Sequence, residues 1–149
     1  MKGLDATRFV SYEEFLRSAE EDTWAESVEG RVVTLSPASD RHQDLVRFLL
    51  TILGVYCETR GLGVVRPAPF QVTLLRSGRE PDLLFVHREH LDRLKESYLE
   101  GPADLVVEVV SRDSGPRDRG EKFYEYEESG VPEYWLVDPD RGEVECYQL

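Results

Sequence analysis

The chain has 149 residues, with 30 Asp plus Glu against 18 Lys plus Arg and a formal net charge of -12. That length suits one domain, and 40% hydrophobic residues with 10% aromatics suffice for one core, which excludes an intrinsically disordered chain. The negative balance excludes a surface that is cationic throughout, so any affinity for nucleic acid has to come from a local patch.

In chain order, the first ten residues hold no apolar stretch, and Ser11 with Glu14 forms a capping-box pattern that predicts a helix near Tyr12 to Ala19. Trp24, Glu26 and Val28 alternate with smaller or polar residues, Glu29-Gly30 can turn, and Arg31 to Leu35 reads as the returning strand of a hairpin. Ser39 or Asp40 caps a longer helix in which Leu45, Phe48, Leu49, Ile52, Leu53 and Tyr56 follow the spacing of one buried face, ended at Gly61. Interrupted by Arg47, the apolar segment Leu45 to Cys57 is too short to span a bilayer. The expectation is a soluble cytoplasmic protein without membrane contact.

Val64 to Leu75 and Asp82 to Val86 are rich in strand formers, with Arg76-Ser77-Gly78-Arg79 read as a hairpin connection. Leu91 to Leu99 reads as a brief helix, Leu105 to Val110 as a central strand covered on both faces, and Pro116 to Ser129 as a helix ended by Gly130. Glu133 to Val137 and Glu143 to Tyr147 flank Pro139-Asp140-Arg141-Gly142 as a last hairpin. The pattern predicts a single α/β (α+β) domain over residues 1–149, a mixed central sheet flanked by helices. Cys57 and Cys146 lack metal-ligand spacing, which points to two buried free thiols rather than a zinc site or a disulfide framework. The absence of Asn, a single Met and 32% charged residues predict heat adaptation, although fifteen Arg against three Lys fit that pattern only in part.

Three features break the pattern of an ordinary core. Glu108 lies in the middle of Leu105-Val106-Val107-Glu108-Val109-Val110, where a carboxylate removed from water needs a partner. Either a structural ion pair or a divalent cation would serve, and hard oxygen donors favour Mg²⁺ or Mn²⁺. Pro81-Asp82 sets an acid at the mouth of the next apolar strand, as turn chemistry or as a second cation ligand. Lys122 shares a helix face with Asp118 and Tyr126, so it forms either a solvated pair with Asp118 or an ammonium beside the two acids. His42 sits on the apolar stripe at a helix start, as a hydrogen-bonded core histidine or as part of an anion site. Glu26 is either an inward acid or a strand-end charge. Glu125, Glu127 and Glu128 read as a solvated helix face, and Tyr134 and Trp135 as core aromatics.

Glu26-Ser27-Val28-Glu29-Gly30, Arg41-His42-Gln43, Pro81-Asp82, Val107-Glu108-Val109-Val110-Ser111, Gly120-Glu121-Lys122 and Gly130 to Asp138 occur in the order seen in the Uma-two family. That family resembles the restriction-endonuclease-like nucleases with the PD-(D/E)xK signature, and the similarity runs from about Tyr12 to Tyr147. The resemblance implies a nuclease core in which Asp82 and Glu108 bind a divalent metal. In the wider superfamily the lysine stands two residues after the second acid; here that slot is Val110, and Lys122 on the next helix matches the relocated lysine of the Uma-two family. Glu26 and His42 match the family's early acid and helix-start histidine.

The expected function is therefore Mg²⁺- or Mn²⁺-dependent hydrolysis of DNA phosphodiester bonds leaving a 5'-phosphate, with Lys122 aligning the attack. A local cationic groove would be assembled from Arg41, Arg112, Arg117, Arg119 and Lys122, with a solvated loop as the alternative for the arginines around the Glu108 strand. A homodimer would enlarge that groove and bring two sites to two strands. Two rival readings remain: a catalytically inactive binding or interaction module on the same fold, and an enzyme acting on another phosphate ester.

Overall fold

The computed structural model describes residues 9–18, 25–35, 37–111 and 114–149. Its elements are α1 (Tyr12–Ser18), β1 (Ala25–Val28), β2 (Arg31–Thr34), α2 (Asp40–Thr59), β3 (Gly63–Pro67), β4 (Gln71–Thr73), β5 (Ser77–Arg79) and β6 (Leu83–His87). After a 3-10 turn at Arg88–Arg93 come β7 (Tyr98–Glu100), β8 (Leu105–Val109), α3 (Gly115–Arg119), α4 (Glu121–Glu128), β9 (Glu133–Asp138) and β10 (Glu143–Gln148).

Among the described residues ten strands form two five-stranded mixed sheets, ordered β2-β1-β5-β4-β7 and β10-β9-β8-β6-β3. In the second sheet β8 lies in the centre, antiparallel to β6 and parallel to β9, with α3 and α4 as the crossover between the parallel strands. All five residues of β8 are buried because both faces are covered. Leu105, Val107 and Val109 face α2, packing with Leu45, Val46, Leu49, Leu50 and Leu53. Val106 and Val110 face the other way, into a core with Leu84, Tyr126, Tyr134, Leu136 and residues of the first sheet. The alternation of side chains along a strand puts Glu108 on this second face, toward α4.

Local chemistry explains most element ends. Glu29 and Gly30 both take positive φ, 47° and 78°, giving the two-residue hairpin turn between β1 and β2 whose twist matches the strands. Ser39 caps α2 by accepting the His42 backbone N–H at 3.2 Å. Gly120 separates α3 from α4, and a Cβ there would lie 2.9 Å from the Pro116 carbonyl oxygen. The helix expected over Pro116 to Ser129 is thus two helices meeting at a residue that only glycine fits.

Other expectations change. Arg76 to Arg79 is not a hairpin connection: residues 77–79 form β5, inserted between β1 and β4. Leu91 to Leu99 is not a helix, since the 3-10 turn ends at Arg93 and Tyr98–Glu100 is a strand parallel to β4. The buried face of α2 is rotated from the expected one. Val46 and Leu50 pack inward, whereas Phe48, Ile52 and Tyr56 are exposed together with Val55. Cys57 is buried but Cys146, on the edge strand β10, is exposed. Tyr134 is buried in the core, whereas Trp135 is only partly buried and packs on the α2 side. Trp24 and Ala19, which entered the expected hairpin and first helix, lie outside the described residues. Among the described residues no helix is long and apolar enough to cross a membrane.

Candidate active site

The register of β6 and β8 pairs Leu83 with Val107, so the next position outward sets Asp82 opposite Glu108. Asp82 Oδ2 accepts the Val109 backbone N–H at 2.7 Å and lies 3.1 Å from His42 Nε2. A carboxylate can only accept, so Nε2 is the donor in that pair. The hydrogen bond with Asp82 holds the His42 imidazole above its ordinary value, against the opposing effect of burial. Two elements therefore fix the Asp82 rotamer through one oxygen: the end of β8 and the capped first turn of α2. His42 Nδ1 is buried without a hydrogen-bond partner among the described residues.

Glu108 is 4% exposed and is met from α4. Lys122 Nζ donates to Glu108 Oε1 at 2.8 Å, and the Tyr126 hydroxyl donates to the same oxygen at 3.1 Å. Residues 118, 122 and 126 share one side of the crossover helices, as the four-residue spacing predicts, but the pair is not solvated: Asp118 and Lys122 are both buried. Lys122 Nζ also lies 3.2 Å from Asp118 Oδ1 and 4.0 Å from Glu26 Oε1. Burial pushes the Glu108 carboxyl up to about 8, with Lys122 opposing the rise and Asp118 and Asp82 reinforcing it. For Lys122, burial favours the neutral amine, but Glu108, Glu26 and Asp118 outweigh it and hold the ammonium above its ordinary value.

Glu26 is an inward acid, fully buried on β1. Its Oε2 accepts Arg79 Nη1 at 3.0 Å and its Oε1 accepts the Glu80 backbone N–H at 3.1 Å. Arg79, on β5, is itself 0% exposed. Its Nε and Nη2 reach Glu125 at 2.7 and 2.9 Å, and Nη2 also donates to Glu121. Burial would favour its neutral form, but Glu125, Glu26 and Glu121 raise its pKa further above the ordinary guanidinium value. Glu125, read from sequence as solvated, is instead a partner of this buried guanidinium. Sequence reasoning missed Arg79 because it sits in a Ser- and Gly-containing stretch whose turn chemistry hides a three-residue strand. The nearest signal is its position shortly before Pro81-Asp82.

Glu26, His42, Asp82, Glu108, Asp118 and Lys122 border one cleft of about 700 Å³. Arg117 lines the same cleft, and its guanidinium makes no ion pair among the described residues. Arg41 also lines it but is engaged by Asp140 at 3.2 Å and by the Pro139 carbonyl. Arg119 is tied to Asp138 at 2.8 Å and to Glu145 at 2.6 Å. Arg112 lies outside the described residues. Among the described residues no three His, Cys, Asp or Glu side chains are grouped so as to hold a metal ion directly.

The model of the Uma2 family, described as "Putative restriction endonuclease", matches residues 12–149. The fold is similar to the crystal structure of a "putative nuclease belonging to DUF820" from Anabaena variabilis ATCC 29413, with a TM-score of 0.81. The two are 17% identical over 93% of this chain and 79% of that one. No curated protein sequence matches the chain.

Proposed function

The chain belongs to the Uma2 (Uma-two) family, and on that premise we propose that it is a divalent-cation-dependent endonuclease that hydrolyses DNA phosphodiester bonds. The observation that carries this reading is the buried Glu108–Lys122 pair, opposite Asp82 and open to a cleft wide enough for a phosphodiester.

The residues fit a hard cation in donor chemistry. Asp82 and Glu108 offer carboxylate oxygens from adjacent strands, and their surroundings carry more negative than positive charge. Asp118 adds two buried oxygens that lack hydrogen bonds among the described residues. When bound, Mg²⁺ or Mn²⁺ lowers the pKa of a coordinated water and polarises the phosphate. The chain supplies the rest. Val109 and His42 hold one Asp82 oxygen, so Asp82 Oδ1 is the oxygen that would hold a cation. Lys122 is kept protonated by its acidic neighbours, so its ammonium can orient a water and offset charge on a phosphoryl oxygen as it develops. Glu26, fastened by Arg79, positions Lys122 from behind. Arg117, without an acidic partner among the described residues, is the cleft side chain best placed to take a phosphate of the DNA backbone.

Incubating the purified protein with supercoiled plasmid tests the proposal. Nicking that requires Mg²⁺ or Mn²⁺, stops with chelator and is lost in Asp82→Asn and Glu108→Gln is the expected result. A folded wild-type protein that leaves plasmid and linear DNA intact with either ion overturns it in favour of a noncatalytic module; turnover of small phosphodiesters alone points to another ester substrate.

A further inference from the structure

Asp118 is 1% exposed, yet neither of its carboxylate oxygens has a hydrogen bond among the described residues. Buried polar groups are nearly always paired, and a lone one marks an absent water, an ion or a functional role. Among the described residues the only cation against it is Lys122, 3.2 Å from Oδ1 as an ion pair without hydrogen-bond geometry, while the same ammonium donates to Glu108 at 2.8 Å. Lys122 faces Glu26 as well. One ammonium thus stands among three carboxylates, with Asp118 the worst served of them. Burial against solvent prevents bulk water from making up the difference, and the side chain borders the cleft that Asp82 and Glu108 share.

Building on the proposed cation site, we propose that Asp118 is its third acid, accepting hydrogen bonds from water coordinated to the ion held by Asp82 and Glu108. It acts through water because no three such side chains among the described residues are grouped for direct ligation. Water on a divalent cation is a strong donor, which is what the Asp118 oxygens lack. Tyr134 fixes the position from below, its hydroxyl donating to the Asp118 backbone carbonyl at 3.0 Å. Asp118 is therefore a positioning residue that orients the coordinated water between itself and Lys122.

Calorimetric titration of the full chain with Mn²⁺ tests this, alongside thermal melting in chelator. Asp118→Asn is expected to weaken Mn²⁺ binding by about 10–100-fold, the usual effect of losing an outer-sphere partner. Its metal-free melting temperature should stay the same or rise, because the amide removes one of the crowded negative charges. Glu108→Gln serves as the reference and should lose binding. If Glu108→Gln loses binding while Asp118→Asn stays within about twofold of wild type, Asp118 is only a counter-ion of Lys122 and the inference is overturned. No Mn²⁺ binding by the wild type, or none lost in Glu108→Gln, overturns the cation site itself and this inference with it. Should the amide variant fail to fold, Asp118→Glu keeps the charge but displaces the oxygens; it is expected to weaken Mn²⁺ likewise, and unchanged affinity would be equally fatal.

Discussion

Lys122 Nζ meets Glu108 Oε1 at 2.8 Å across fourteen positions of sequence, from a helix rather than from the strand that carries the acid. The position two residues after Glu108 is filled by Val110, buried in the core. The ammonium is delivered by α4 instead, whose angle is set by the break at Gly120. A lysine two residues along β8 would leave the strand on the same face as Glu108, so both arrangements bring the charge to one side of the sheet.

Removing that ammonium leaves Glu108 buried beside Asp118 and Asp82. Lys122→Met is expected to destabilise the metal-free protein by about 3–5 kcal/mol at a pH above about 8, where Glu108 is ionised, the cost typical of breaking a buried ion pair from one side, and by less below it. The double variant with Glu108→Gln should recover part of the loss. Urea denaturation of the two single variants and the double gives the coupling, and strict additivity would show that the pair is not energetically linked.

Stability should depend on pH with two limbs of opposite sign. Glu108 binds its proton more tightly folded, up to about 8, than its ordinary 4.5. Its contribution is fully present below the lower value and is lost as pH rises through the upper one. Asp138 and Glu145 are the reverse. Arg119 holds Asp138 below its ordinary value, and Tyr147 with Arg119 does the same for Glu145. Their contribution is present above the ordinary carboxylate range and lost as pH falls through the depressed values. Melting in chelator from about pH 2 to about pH 9 should therefore fall at both ends. Glu108→Gln should flatten the alkaline limb and Arg119→Ala the acid one.

Arg79 carries the docking of α4 onto the hairpin. Arg79→Met leaves Glu26 buried without its counter-charge, with an expected loss of about 3–5 kcal/mol by urea denaturation. Arg79→Lys should not restore the stability, because a single ammonium cannot reproduce the fork that reaches Glu26, Glu121 and Glu125. Full rescue by lysine would mean that charge alone matters there.

Arg117 and Arg119, both on α3, should separate in a DNA-binding titration. Arg117→Ala is expected to weaken binding and to lower the salt dependence by about one unit of slope. Arg119→Ala should leave both nearly unchanged, since Asp138 and Glu145 already neutralise its charge. Equal effects from the two variants would place the nucleic acid elsewhere.

The residues that could be read from sequence are those whose burial is costly in isolation. Glu108 stands out because apolar neighbours on both sides force it inside, and Pro81-Asp82 because proline marks a strand mouth. Lys122 follows from helical spacing. Arg79 could not be found in this way: its burial is tolerable only through Glu26, Glu121 and Glu125, which arrive from other elements and individually look like surface charges. The rotation of α2 has a similar cause. Leu45, Val46, Phe48, Leu49, Leu50, Ile52, Leu53, Val55 and Tyr56 occupy almost every direction around the helix, so periodicity alone leaves its inward face undecided until β8 is laid against it.

The sealed guanidinium on β5 also bears on how the chain assembles. Its three carboxylate partners come from a strand near the start of the described chain and a helix near its end. Hairpin or helix docking alone would strand unpaired charge out of water, which disfavours either end of the polypeptide settling there without the other. Half-assembled forms are thereby disfavoured, and the cleft that Glu26, Asp82 and Glu108 border exists only in molecules that have completed their fold.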